Sequence, residues 1–213
     1  MKTVVYFVGA YGCGKTNIVE RLGKQYGRKA ICQVEDEATL FFLKGTDKYM
    51  TELFYLFSMY YRLRDTLDVL IKLDADFAFI DGHPLNNLVY GRAFFELDDG
   101  HTFNFYEMSQ CAKMHSRMHQ YCKRKGMYED LTGKQLKQIL VYIDLPFDVN
   151  KELILSRNRS QRYIAGEVDE YYLLSVRRIF QSEIFHLARY YDIQKVITIK
   201  SLEELEAFDP KGL

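Results

Sequence analysis

Apolar positions along the 213 residues fall into two patterns, short continuous runs and longer segments with helical spacing. Five runs are short: Val4 to Val8, Lys29 to Glu35 (K-A-I-C-Q-V-E), Phe77 to Asp81, Gln138 to Leu145 and Lys195 to Lys200. Runs of this length, bounded by Gly, Pro or clusters of charge, predict buried strands. Between them the apolar period lengthens to that of a helix. From Thr46 to about Leu73, residues Met50, Leu53, Phe54, Phe57, Tyr60, Tyr61, Leu67, Leu70 and Ile71 recur at helical intervals and predict one long helix. Further helices are predicted from Lys15 onward, near Leu88 to Phe95, over Thr102 to Lys125 after a break at Gly100, over Val149 to Leu155, over Asp169 to Tyr191 and at the extreme terminus. Five strands separated by helices imply an α/β fold with a parallel, doubly wound sheet, because adjacent parallel strands need a crossover connection.

The junction of the first strand and first helix carries the most specific chemistry. It reads Gly9-Ala10-Tyr11-Gly12-Cys13-Gly14-Lys15-Thr16, the pattern G-x-x-x-x-G-K-T in the strand-to-helix setting that a phosphate-binding P-loop requires. Glycines let successive backbone N–H groups turn toward a polyphosphate, and the helix opening at Lys15 adds its N-terminal dipole. In that arrangement Lys15 reaches the β- and γ-phosphates and the Thr16 hydroxyl becomes a ligand of Mg²⁺. A secretory signal peptide is the competing reading of Lys2 and its apolar run, but the run is short and no A-x-A-like cleavage site follows.

Composition narrows the classes. With 48% hydrophobic residues and 27% charged, the chain suits one globular domain over residues 1–213, with an inserted flap at most. Lys+Arg and Asp+Glu both number 29, so net charge points to neither nucleic acid nor an anionic membrane as partner. Cys13, Cys32, Cys111 and Cys122 lack C-x-x-C spacing and disulfide-rich density, so a reduced, cytoplasmic protein is expected. No apolar run approaches the ~18 residues of a membrane span.

Other residues gain meaning from position. Strand two ends in the acidic cluster Glu35-Asp36-Glu37, and ligands of parallel sheets bind at the carboxyl ends of strands. Phe77-Ala78-Phe79-Ile80-Asp81 has the form of a Walker B segment whose carboxylate supports Mg²⁺ opposite Thr16; a helix cap is the other reading of Asp81. Tyr55 and Arg62 share a stripe of the long helix, where Arg62 either faces a ligand or snorkels beside an apolar face. His115 and His119, one turn apart, suit a solvated or packed pair better than a metal site lacking a third ligand. Arg157, Arg159 and Arg162 follow the fourth strand, either as a solvated face or as a lid over about 156–168 that closes on a transferring phosphoryl group.

In this order the parts resemble the deoxynucleoside kinase branch of P-loop kinases and, more distantly, thymidylate kinase. The blocks that carry the likeness are the P-loop, the Glu35 strand end, Ile80-Asp81 with its following helix, and Val141-Tyr142-Ile143-Asp144-Leu145-Pro146 leading to Arg157-Asn158-Arg159. The resemblance implies a P-loop kinase-type three-layer sandwich with a five-stranded parallel sheet, long flanking helices and an arginine-containing lid. It implies ATP and Mg²⁺ as cofactors, Glu35 as general base on a 5′-hydroxyl, Arg157 and Arg159 as a clamp on the ATP phosphates, and a homodimer through the long helices. Arg62 falls where some members have an arginine near the base. The departures are Gly82 where the family has an arginine after the acid, Tyr55 for a base-reading glutamine, Asn87 for an aspartate, and Gln161 and Arg162 for two lid acids. The expectation is therefore phosphoryl transfer to a nucleoside, with a monophosphate kinase or a non-catalytic nucleotide-binding subunit as alternatives.

Overall fold

The structure is a computed structural model that describes residues 2–34, 48–96, 105–156 and 170–213. The chain begins with β1 (Thr3–Gly9) and α1 (Lys15–Tyr26), then passes through a 3₁₀ turn, Gly27–Lys29, into β2 (Ala30–Gln33). The long helix α2 (Lys48–Lys72) leads to β3 (Phe77–Asp81), followed by α3 (Leu85–Glu96) and α4 (Phe105–Arg124). The remaining elements are β4 (Lys137–Ile143), α5 (Phe147–Leu155), α6 (Glu170–Tyr190), β5 (Lys195–Ile199) and α7 (Leu202–Ala207). The five strands form one all-parallel sheet in the order β2-β3-β1-β4-β5. This is the doubly wound α/β architecture expected from the strand and helix pattern.

The alternation of side chains along β1 divides the core into its two layers. Val4, Tyr6 and Val8 point to one face, where they meet Ala78, Ile80, Leu140 and Tyr142 and the apolar sides of α2, α3, α4 and α6. Val5 and Phe7 point to the other face, with Phe79, Ile139, Val141 and Ile143 under α1 and α7. Both faces are covered, so every residue of β1 is buried and the strand reads as a continuous apolar run. A three-layer sandwich results.

Several boundaries differ from the sequence expectation for local reasons. Strand two ends at Gln33, short of Glu35, because β2 is an edge strand paired only to β3 and begins after the 3₁₀ turn. Helix α3 begins at Leu85, three residues ahead of the expected start. The buried His83 caps it, its Nδ1 accepting the Leu85 N–H at 3.1 Å. Helix α5 likewise starts directly after Pro146, whose extended backbone (φ −54°, ψ 147°) turns the chain off β4.

Candidate active site

The carboxyl ends of β1, β3 and β4 lie side by side, with Gly9 opposite Ile143 and Phe7 opposite Asp81. β1 thus lies between strands reached by separate crossovers, which is the switch point where open α/β sheets bind ligands. The loop from Gly9 to Lys15 turns there. At Gly12 the backbone has φ +76°, and a Cβ would lie 2.4 Å from Ile154 Cγ1 and 2.7 Å from the Asn150 carbonyl oxygen. Glycine is needed at that position twice over, for its left-handed backbone and for the close approach of α5.

The Lys15 ammonium folds back onto its own loop, donating to the Ala10 carbonyl at 3.0 Å and the Gly9 carbonyl at 3.2 Å, with Cys13 Sγ at 3.7 Å. Burial pushes the Cys13 thiol up, with Lys15 acting in the opposite direction. Thr16, on the first turn of α1, donates its hydroxyl to Asp81 Oδ2 at 2.5 Å. Asp81 is 3% exposed, and its Oδ1 has no hydrogen-bond partner. A buried carboxylate oxygen left open beside a hydroxyl is a hard-oxygen donor set, which fits Mg²⁺.

On the other side of Asp81 lies a second group of candidates. Gly82 takes φ +97° and donates its N–H to the Phe7 carbonyl, so the chain turns sharply off β3. A side chain at position 82 would start 3.2 Å from Met59 Cε and 3.4 Å from Asn86 Nδ2. Arg62 belongs to the same neighbourhood, because its Nη2 lies 3.1 Å from Met59 Sδ. Its Nε and Nη1 are buried without a hydrogen-bond partner, as is Asn86 Oδ1. Arg62 therefore does not snorkel to water; it holds two buried, unused donors beside Met59, which also packs against Gly82. Tyr55 is half-buried two turns earlier on α2, and Asn87 is half-buried in the first turn of α3. Arg92, further along α3, pairs with Glu183 of α6 at 3.5 Å.

Glu35, Arg157, Arg159 and Arg162 lie outside the described residues, as does nearly all of the lid segment. The segment is flanked by two contacts that sequence reasoning did not single out. On α6, which follows it, Arg177 Nε donates to Asp144 Oδ1 at 2.6 Å and Gln181 Nε2 donates to Asp144 Oδ2 at 3.0 Å, tying the helix to the end of β4. In the first turn of α6, Tyr172 stacks on Tyr11 of the P-loop, with ring centroids 6.2 Å apart. On its other contact Tyr11 lies almost parallel to Tyr90 of α3, at 4.9 Å and 8°. The Tyr90 hydroxyl donates to the Gly9 carbonyl. Asp144 stood within a recognisable motif, but nothing local in sequence marks Tyr90 or Arg177.

His115 and His119 are core residues. His115 Nδ1 lies 3.2 Å from the Tyr191 hydroxyl, and His83 and His119 meet the Tyr191 ring edge-on at 4.8 and 4.9 Å. Burial lowers the pKa of all three histidines, that of His115 to about 3. No cluster of three or more His, Cys, Asp or Glu side chains placed to hold a metal ion occurs among the described residues. No disulfide joins any of the four cysteines, and no helix among the described residues is long and apolar enough to cross a membrane.

No protein-family profile matches the chain, and no curated protein matches it in sequence. Solved structures do share its fold. Deoxyadenosine kinase from M. mycoides with bound dATP superposes with a TM-score of 0.59 at 15% identity, covering 99% of this chain and 94% of that one. The same enzyme with products dCMP and a flexible dCDP gives 0.58 at 15% identity, and with bound dCTP 0.53 at 14% identity, each covering 98% of this chain and 93% of that chain. The chain shares the fold of these deoxyadenosine kinases, the superpositions covering 98–99% of it.

Proposed function

We propose that the protein is an ATP- and Mg²⁺-dependent kinase that transfers the γ-phosphoryl group to the 5′-hydroxyl of a nucleoside or deoxynucleoside. The observation that carries this reading is the convergence of the Gly9–Thr16 loop and Asp81 at the carboxyl ends of the neighbouring strands β1 and β3, with Thr16 bonded to Asp81 and Lys15 folded over the loop. The likeness of the fold to deoxyadenosine kinases supports the choice of acceptor class.

In this reading the backbone N–H groups of Gly12, Cys13 and Gly14 cradle the phosphates and the Lys15 ammonium moves from the loop carbonyls to the β- and γ-phosphates. Thr16 and Asp81 would hold Mg²⁺, which when bound neutralises charge on the transferring phosphates. Glu35 accepts the hydroxyl proton of the acceptor. Arg157 and Arg159 clamp the phosphoryl group, since phosphoryl transfer asks mainly for positioning and charge neutralisation. Tyr55, Arg62, Asn87 and Arg162 line the acceptor side. Cysteines not joined by a disulfide fit a cytoplasmic location. The exposed Phe54, Phe57 and Tyr61 of α2 form one apolar stripe, which supports a homodimer through the long helices.

A monophosphate kinase is the second reading, favoured by the unpartnered Arg62 nitrogens, which suit an acceptor phosphate. Glu35 separates the two. Glu35→Gln keeps the shape and removes the basicity, so on a nucleoside acceptor it lowers kcat by about 10²–10⁴-fold with ATP binding nearly unchanged. If Glu35→Gln, Asp36→Asn and Glu37→Gln all retain activity, the base assignment fails and the monophosphate reading takes its place.

A further inference from the structure

The Gly9 carbonyl, at the point where β1 enters the P-loop, accepts two hydrogen bonds, from Lys15 Nζ at 3.2 Å and from the Tyr90 hydroxyl at 2.5 Å. The two donors have different fates if Lys15 serves the nucleotide. Lys15 must leave the carbonyl to reach the β-phosphate. Tyr90 has no reason to move, because its ring is stacked on Tyr11 and meets Phe180 edge-on at 6.2 Å. A carbonyl has two lone pairs, so both donors are accommodated before binding and one remains afterwards.

We propose that Tyr90 is a positioning residue of the P-loop, whose hydroxyl keeps the Gly9 carbonyl bonded when Lys15 departs for the phosphates of a nucleoside di- or triphosphate. The inference rests on the nucleotide-binding reading of the loop and adds to it a residue outside the loop. A buried acceptor that loses its last donor carries the full desolvation penalty of that group. Without the Tyr90 hydroxyl that penalty falls on the bound state alone, because in the free protein Lys15 still occupies the carbonyl. The hydroxyl therefore stabilises the bound loop selectively, and only for ligands that draw Lys15 away.

Tyr90→Phe removes the hydroxyl and leaves the ring stack. Isothermal titration of ATP, ADP and AMP into the wild-type protein and this variant supplies the test. ATP and ADP should bind about tenfold more weakly to the variant, which corresponds to about 1.4 kcal/mol. AMP lacks the β-phosphate and should bind the two proteins equally. A second measurement uses the Lys15→Ala background, where Tyr90 is the remaining donor to Gly9 even in the free protein. Tyr90→Phe should there lower the Tm of ligand-free protein more than it does with Lys15 present. Equal loss for ATP and AMP, or unchanged ATP affinity in a wild-type protein that prefers ATP over AMP, overturns the Tyr90 role. Equal Tm losses in the two backgrounds overturn it as well. A wild-type protein that binds none of the three nucleotides instead refutes the nucleotide-binding reading.

Discussion

The tight seat of the P-loop on α5 makes a quantitative prediction at Gly12. Alanine there meets two penalties. A left-handed backbone costs an L-residue about 1–2 kcal/mol. The added Cβ, 2.4 Å from Ile154 Cγ1 and 2.7 Å from the Asn150 carbonyl, must displace packed atoms, which costs about 1–3 kcal/mol more. The sum, about 2–5 kcal/mol, lowers Tm by roughly 4–20 °C for a chain of this size. Gly133 provides the control, since it has the same φ of +76° with nothing within 4 Å of its would-be Cβ. Gly133→Ala carries the backbone penalty only, and the difference between the two variants in calorimetric unfolding isolates the packing contribution. Ile154→Ala removes one of the two obstacles, so the double variant Gly12→Ala/Ile154→Ala should lose less than the sum of the single changes by more than ~0.5 kcal/mol. Equal losses at positions 12 and 133, or strict additivity in the double variant, would refute the argument that α5 holds the loop in shape.

Two further outcomes follow from the acceptor side and the buried histidines. Arg62→Ala should raise the KM of the acceptor far more than that of ATP, by about 10- to 150-fold for a lost hydrogen bond to a charged group, as steady-state kinetics with each substrate varied will read; equal effects on both return Arg62 to a structural role. The stability of the ligand-free protein should be level above about pH 6.5 and fall below it. The unfolded chain protonates its histidines from that point, while burial lowers the pKa of His83, His115 and His119 in the folded state, that of His115 to about 3. The unfolded state binds more protons in that window, so each such histidine adds a slope of up to about 1.4 kcal/mol per pH unit. Urea midpoints at pH 4.5, 5.5 and 7.5 test this, with His115→Gln expected to flatten the profile.

What the sequence discloses about this protein depends on how local the cause is. β3 occupies Phe77–Asp81 as expected, because an apolar run, an acid and a glycine in succession determine its end within five residues. The Thr16–Asp81 bond was foreseeable too, since each partner stands at a fixed point of a strand-to-loop motif. Strand two was overextended because the same K-A-I-C-Q-V-E pattern does not reveal that β2 is an edge strand, and an edge strand has less to hold its end. Glu35, Asp36 and Glu37 lie outside the described residues, so the choice among them rests on kinetics. The early start of α3 was hidden because histidine is not a usual cap; its Nδ1 serves only because Tyr6 and Tyr191 hold the ring in place. Tyr90 and Gly9 are 81 residues apart, and Arg177 and Asp144 are 33 apart. Such pairs come from the stacking of helices on the sheet, which no local pattern encodes.

The central claim is that the P-loop and Asp81 serve phosphoryl transfer to a nucleoside. The most direct measurement incubates the purified protein with Mg²⁺ and γ-labelled ATP against deoxynucleosides, ribonucleosides and their 5′-monophosphates, with Lys15→Ala in parallel. The account predicts label on the 5′-oxygen of at least one nucleoside, none on the monophosphates, and no transfer by Lys15→Ala although that variant remains folded. Label on a monophosphate alone, or equal transfer by the wild-type protein and Lys15→Ala, would contradict it.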